Sequence, residues 1–204
     1  MGRRIALAVV MALVLGSSAA ARAGGALLGV EAGVHRITPL APALGEIMGG
    51  DRTATTFALQ AGYQGSSGGF VAVEARRLTL HPAFFRPRAQ FLSPYPSVVH
   101  LTPLMGVLGV RPWIGRQARF VFSGGAGALL TTHQLDGDQG LWTGRHNWSA
   151  VGRVGMGVEY QPGSVAVGLL VSWLFVPSIR IPQTQEADFG GLSVGATLAF
   201  HGRR

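Results

Sequence analysis

Between residues 148 and 161 the chain alternates with a period of two, and VGRVGMGVEY (Val151 to Tyr160) shows the pattern most clearly. Val154, Met156, Val158 and Tyr160 form one row, while Arg153, Gly155, Gly157 and Glu159 form the other. Such alternation is the signature of a strand with two unlike faces. Extended over the chain, the period predicts eight strands, at 26–36, 53–64, 70–80, 98–111, 118–131, 148–161, 165–176 and 189–200. Each is long enough to cross a bilayer at barrel tilt, which takes about 9–11 residues. The connections alternate too. Those at 65–69, 112–117 and 162–164 are tight, whereas 37–52, 81–97, 132–147 and 177–188 are long and hold most of the prolines. Short turns at one end and long loops at the other describe an outer-membrane barrel, and an even strand count puts both termini at the periplasmic end.

The apolar rows are Leu28, Val30, Ala32 and Val34; Phe57, Leu59, Ala61 and Tyr63; Phe120, Phe122, Ala126 and Ala128; and Leu192, Val194, Ala196, Leu198 and Phe200. They are assigned to lipid. The complementary rows carry Glu31, Gln60, Glu74, Arg76, His100, Thr102, Arg119, Arg153, Glu159 and Thr197, with many glycines. These are assigned to the lumen, which in an eight-stranded barrel is only wide enough for side chains to fill. Ions enclosed there must pair. Glu31, Glu74 and Glu159 against Arg76, Arg119 and Arg153 make a balanced lumen charge network. His35 and His100 share the inward parity, so a structural pairing of histidine with Glu31 or Glu74 is expected. Aromatics fall in two groups, Tyr63, Phe70, Trp113, Tyr160 and Phe200 at the turn end and Phe57, Trp148, Trp173, Phe175 and Phe189 at the loop end. Two interfacial belts are the expected cause.

The N-terminus fixes the expected compartment. Arg3 and Arg4 precede an apolar run, Ile5 to Leu15, and Ala21-Arg22-Ala23 offers a small-x-small cleavage site. Residues 1–23 read as a secretory signal peptide and 24–204 as the barrel domain. The run is too short for a spanning helix. Export through the general secretory pathway to the outer membrane of a Gram-negative cell follows. With no cysteine, the chain has neither a disulfide nor a lipidated thiol.

Composition agrees: 48% hydrophobic, 13% charged and 31 glycines, with a mean hydropathy of +0.32. A chain this apolar without a spanning helix satisfies its backbone in lipid by closing a sheet. All 17 basic residues are arginine; removing Arg3, Arg4 and Arg22 leaves 14 against 9 acids, about +5. No basic run or RNA-binding motif suggests nucleic acid.

FSGGAGALL (Phe122 to Leu130), VGRVGMGVEYQPGSVAVGL (Val151 to Leu169) and FGGLSVGATLAF (Phe189 to Phe200) resemble segments of the small eight-stranded outer-membrane β-barrel proteins. The resemblance implies an all-β, eight-stranded antiparallel up-and-down transmembrane β-barrel. It also implies a final strand ending on an aromatic read by the barrel assembly machinery; Phe200 holds that place, followed by His201-Gly202-Arg203-Arg204. The layout is also similar to that of the lipid A deacylases, whose catalytic His and Ser stand two apart near the outer end of the seventh strand. Here that stretch reads SWLFVPS (Ser172 to Ser178) and holds no histidine. Glu186 and Asp188 supply an acid without its base, so the deacylase activity does not transfer.

The remaining candidates lie in and near the long loops. Arg36 and Arg77 have lipid-facing parity at the outer ends of their strands, and Arg52, Arg86 and Arg88 stand in the adjoining loops. A guanidinium binds phosphate in two-pronged fashion, so Arg36, Arg77, Arg86 and Arg88 are candidate contacts to lipopolysaccharide. His133 and His146 flank Asp136 and Asp138, but the spacing matches no metal motif and LDGDQGLW lacks the further oxygen ligands of a calcium loop. No metal and no cofactor are expected. HPAFFRPRAQFLSPYPS, rich in aromatics and proline, is suited to capping the barrel mouth or to meeting a partner. These readings lead to a non-enzymatic outer-membrane barrel with a plugged polar lumen and a structural or interaction role. The alternatives are a narrow passive channel, a degenerate deacylase-like barrel that binds lipopolysaccharide, and a soluble lipocalin-like barrel with the faces inverted.

Overall fold

The computed structural model describes residues 25–38, 49–50, 53–80, 82–84, 95–135, 142–143, 147–177, 179–180, 186–187 and 189–202. The segment 1–23, Arg52, Arg86, Arg88, Asp136, Asp138, His146 and Asp188 lie outside the described residues, as do the side chains of His133 and Glu186.

Eight long strands build the wall: β1 (Gly25–Ile37), β2 (Thr53–Gln64), β3 (Gly69–Leu80), β4 (Tyr95–Val110), β5 (Ala118–Leu135), β6 (Asn147–Tyr160), β7 (Val165–Phe175) and β8 (Gly191–His201). Each pairs antiparallel with the next in sequence. The sheet closes because β1 also pairs with β8, Val30 opposite Leu198 and Gly33 opposite Gly195. Closure removes both sheet edges, and the ladders run continuously except beside Pro103, where Arg76 and Arg77 have no ladder partner on β4. Two-residue pairings such as Ile179–Arg180 with Glu186–Ala187 decorate the long connections.

Glycine permits two features of the wall. The hairpin after β2 turns through Gly68 at φ 85°, a left-handed conformation that side chains resist. Its N–H donates to the Gly65 carbonyl at 3.1 Å, and its carbonyl accepts from the Arg111 N–H at 2.9 Å, tying two turns together. At Gly127 a Cβ would strike the Leu104 carbonyl and the Met105 Cα. Strands β4 and β5 therefore approach closely only because this position has no side chain.

The faces are inverted relative to a water-soluble sheet. Leu28, Phe57, Leu108, Phe122, Met156, Leu169 and Val194 point outward and are 45–65% exposed. Glu31, Glu74, Arg76, Arg119, Arg153 and Glu159 point inward and are no more than 6% exposed. In cross-section the lumen has two zones. Leu78, Leu80, Val99, Leu101, Leu129 and Leu174 fill its loop end as an apolar plug, and the ionic residues occupy the middle and the turn end.

The plug explains where the sequence reading departs from the structure. On β4 the inward row is Val99, Leu101, Met105 and Val107, all buried, so His100 and Thr102 stand on the outer face, partly exposed, not in the lumen. Parity alone placed the polar row inside. The loop end of the lumen is instead completed by apolar side chains, and β4 turns its polar row out. Phe70 and Phe189 likewise face inward, 6% and 0% exposed, and belong to no outer belt. Trp113, Trp148, Tyr160, Phe175 and Phe200 do stand on the outside.

Candidate functional site

The lumen network is built from strands whose inward positions face one another across a narrow bore. Arg76 of β3 meets Glu31 of β1 in a two-pronged pair, Nη2 to Oε2 at 2.6 Å and Nη1 to Oε1 at 3.0 Å. The same guanidinium donates Nε to Glu74 Oε1 at 3.0 Å and Nη1 to Thr56 Oγ1 at 3.3 Å. From the opposite wall, Arg153 of β6 donates to the second oxygen of Glu74 and lies 4.0 Å from Glu31. Gly155 makes room for this, since a side chain there would press on the Arg153 guanidinium and on Ser123. Two carboxylates and two guanidiniums thus neutralise one another in the mid-lumen.

A second cluster sits at the turn end. Arg119 Nε donates to Glu159 Oε2 at 2.9 Å. Its Nη2 lies 2.5 Å from His201 Nε2, which must accept and therefore belongs to a neutral imidazole protonated on Nδ1. Arg111, absent from the expected network, enters here. It follows β4 directly, is 3% exposed, and reaches Glu159 at 3.7 Å and Gln64 Oε1 at 3.1 Å. Its guanidinium lies 4.4 Å from the centroid of the Phe70 ring, which faces inward on the same row as Glu74 and Arg76. Burial pulls the Arg111 guanidinium down to about 10; Glu159 opposes that pull and Arg119 adds to it. Among the described residues the lumen therefore holds four arginines and three glutamates, and the balance expected from sequence is short by one negative charge. Arg111 lies within the expected strand at 98–111, but taking His100 and Thr102 as inward put it on the outer row; the buried row of Val99, Leu101, Met105 and Val107 is the one that leads to it.

Among the described residues neither His35 nor His100 forms an ion pair with a carboxylate. His35 is fully buried; its Nε2–H donates to the Phe189 carbonyl at 3.1 Å, leaving Nδ1 to accept from the Ser193 hydroxyl at 2.8 Å. Ser193 is 1% exposed and pairs across the ladder with Ser172. The base and hydroxyl are sealed under the apolar plug, where they pin the segment before β8 to the wall. His100 lies on the outer face, its Nδ1 3.2 Å from Thr79 Oγ1.

The outer wall has its own asymmetry. Apolar outward residues run over 120–130 on β5, 148–160 on β6, 165–175 on β7 and 192–200 on β8, but only over 57–63 on β2, 71–75 on β3 and 104–110 on β4. At about 2.5 Å of height per tilted residue, the run on β3 covers about 12 Å of an apolar band typically about 25 Å tall. Above it lies a polar notch. Thr55, Thr79, His100 and Thr132 occupy one row across four strands, with Arg77 and Thr102 below. Arg77 and, on β1, Arg36 are exposed, and among the described residues neither has an ion-pair partner.

No protein-family model matches the chain, and no curated protein sequence matches it. Solved structures do. Neisserial surface protein A is similar at 12% identity over 87% of this chain and 97% of its own, with a TM-score of 0.59. The outer membrane protein OprG of Pseudomonas aeruginosa is similar at 14% identity over 89% and 97%, with a TM-score of 0.55. Ail, the attachment invasion locus protein of Yersinia pestis, is similar at 9% identity over 88% and 98%, with a TM-score of 0.53. The fold is that of the small eight-stranded outer-membrane β-barrels.

Proposed function

We propose that this chain is a non-enzymatic outer-membrane barrel with a plugged lumen, whose role at the cell envelope is structural and interactive and is exercised by its outer wall. The observation that carries this reading is the inversion of the faces: acyl-compatible side chains outside, with paired ions and an apolar plug within. Fractionation of expressing cells is expected to recover the chain with outer-membrane markers, and unheated samples to migrate as a compact band on detergent gels. Reconstituted into planar bilayers, the barrel is expected to stay silent. Discrete conductance steps would establish the narrow-channel reading in its place.

The polar notch on β2 to β4 supplies the interaction. An arginine at the bilayer midplane of a barrel costs about 2–4 kcal/mol, falling to about 0–1 near the interface, so Arg77 fits best where the headgroup region dips toward it. Lipopolysaccharide phosphates match an uncompensated guanidinium flanked by hydroxyls. Arg36, Arg77 and the threonines of the notch then hold the lipid; Arg86 and Arg88, in the loop that follows β3, are further contacts in this reading. The double change Arg36→Gln with Arg77→Gln is expected to lower co-purifying lipopolysaccharide at least several-fold while the gel shift on heating persists. Unchanged lipopolysaccharide content would remove the notch as its site.

A further inference from the structure

Two guanidinium Nε–H groups in the lumen, those of Arg111 and Arg153, have no hydrogen-bond partner among the described residues. The two side chains are 3% and 4% exposed, so bulk water does not serve them. Both line the same cavity, which offers about 40 Å³ between the two ionic clusters, beside Gln60, Ser123 and Thr197. A water molecule needs about 10–15 Å³ of such space. The cavity therefore has room for about three waters, or for one halide-sized ion with a water beside it.

Charge decides between these contents. Glu31, Glu74 and Glu159 also border the cavity, but each is already engaged: Glu31 by Arg76, Glu74 by Arg76 and Arg153, and Glu159 by Arg119 with Arg111 more distant at 3.7 Å. His201 is neutral, since it accepts from Arg119. Among the described residues the four guanidiniums then exceed the three carboxylates by one, in an interior where an uncompensated ion costs several kcal/mol. Water would satisfy the two N–H donors and leave the charge. A small anion satisfies both, and Gln60, Ser123 and Thr197 add neutral donors around it.

We propose that the mid-lumen cavity between Arg111 and Arg153 binds one small monovalent anion of the halide class as an integral part of the folded barrel. The site lies between the inward rows of the wall and does not depend on what the outer notch binds. The room available excludes polyatomic carboxylates of metabolite size, and the single excess charge matches a monovalent ion.

Crystals of the refolded wild-type barrel soaked in sodium bromide are expected to show one anomalous peak inside the lumen, within hydrogen-bond reach of Arg111 Nε or Arg153 Nε. In solution, the unfolding equilibrium is compared in sodium chloride, sodium bromide and sodium gluconate at equal ionic strength. Chloride and bromide are expected to stabilise saturably, raising the folded-to-unfolded ratio roughly elevenfold at ten times the apparent Kd, and gluconate, too large for the cavity, is expected not to. Arg111→Gln removes the excess charge and is expected to abolish this dependence. Should that variant fail to fold, the wild-type arms decide alone. An empty lumen in the anomalous map, or equal stability in chloride and gluconate, would mean that the cavity holds only water and would overturn the proposal.

Discussion

Arg76→Leu lowers the stability of the barrel by about 3–5 kcal/mol, the usual cost of removing one partner from a buried ion pair. The geometry explains why this residue matters most. Arg76 is 2% exposed, closes a two-pronged pair with Glu31 and donates a further bond to Glu74. Leucine would leave two carboxylates facing the single guanidinium of Arg153, which lies 4.0 Å from Glu31. The loss arises from stranded charge more than from lost attraction, so neutralising the strays repairs it. Glu31→Gln combined with Arg76→Leu is expected to recover a large part of the deficit. The measurement is urea unfolding from phospholipid vesicles, followed by tryptophan fluorescence. A single-variant loss below about 1 kcal/mol would show that the lumen is wet enough to screen its ions, and the plugged-lumen reading would fail with it.

Arginine placed on the outer wall gives the second large effect, and its size depends on where it is placed. Leu169, 65% exposed near the centre of the outward row of β7, faces the middle of the apolar band. Leu169→Arg is expected to cost about 2–4 kcal/mol in a bilayer, and Thr102→Arg, in the polar notch, about 0–1 kcal/mol. The contrast tests both the inversion of the faces and the shortened band on β2 to β4. In detergent micelles, which reshape around the chain, the two costs should converge. Equal costs in a bilayer would mean that the notch lies as deep in hydrocarbon as β7 does.

Strand number and most boundaries were legible because a period of two leaves a direct trace in residue order. The expected strand at 53–64 coincides with Thr53–Gln64, and those at 165–176 and 118–131 differ from the structure only at their loop ends. The six lumen ions were legible for the same reason, each standing on the parity opposite an apolar row. Arg111 was not, because in the expected strand at 98–111 the row of His100 and Thr102 was taken as inward, which turned Arg111 to the outer face. His100 and Thr102 were misplaced because alternation reveals that a strand has two unlike faces without saying which solvent each one meets. His35 followed parity correctly into the lumen, but its partners, Ser193 and the Phe189 carbonyl, come from the far end of the chain, and their choice depends on the closure of β1 against β8.

By itself the amino-acid order determined an eight-stranded alternating chain with tight turns at one end, long loops at the other and most strand charges on one row, with Arg36 and Arg77 on the other, since backbone pleating converts sequence parity into sidedness. Tertiary structure decided what fills each level of the bore: an apolar plug at the loop end, a neutral ion cluster in the middle, and a turn-end cluster carrying one positive charge too many. Closure sets those levels by bringing the two ends of the chain together, Leu27 opposite His201 and His35 against Ser193, 158 positions away. No local pattern encodes which of them will share a height.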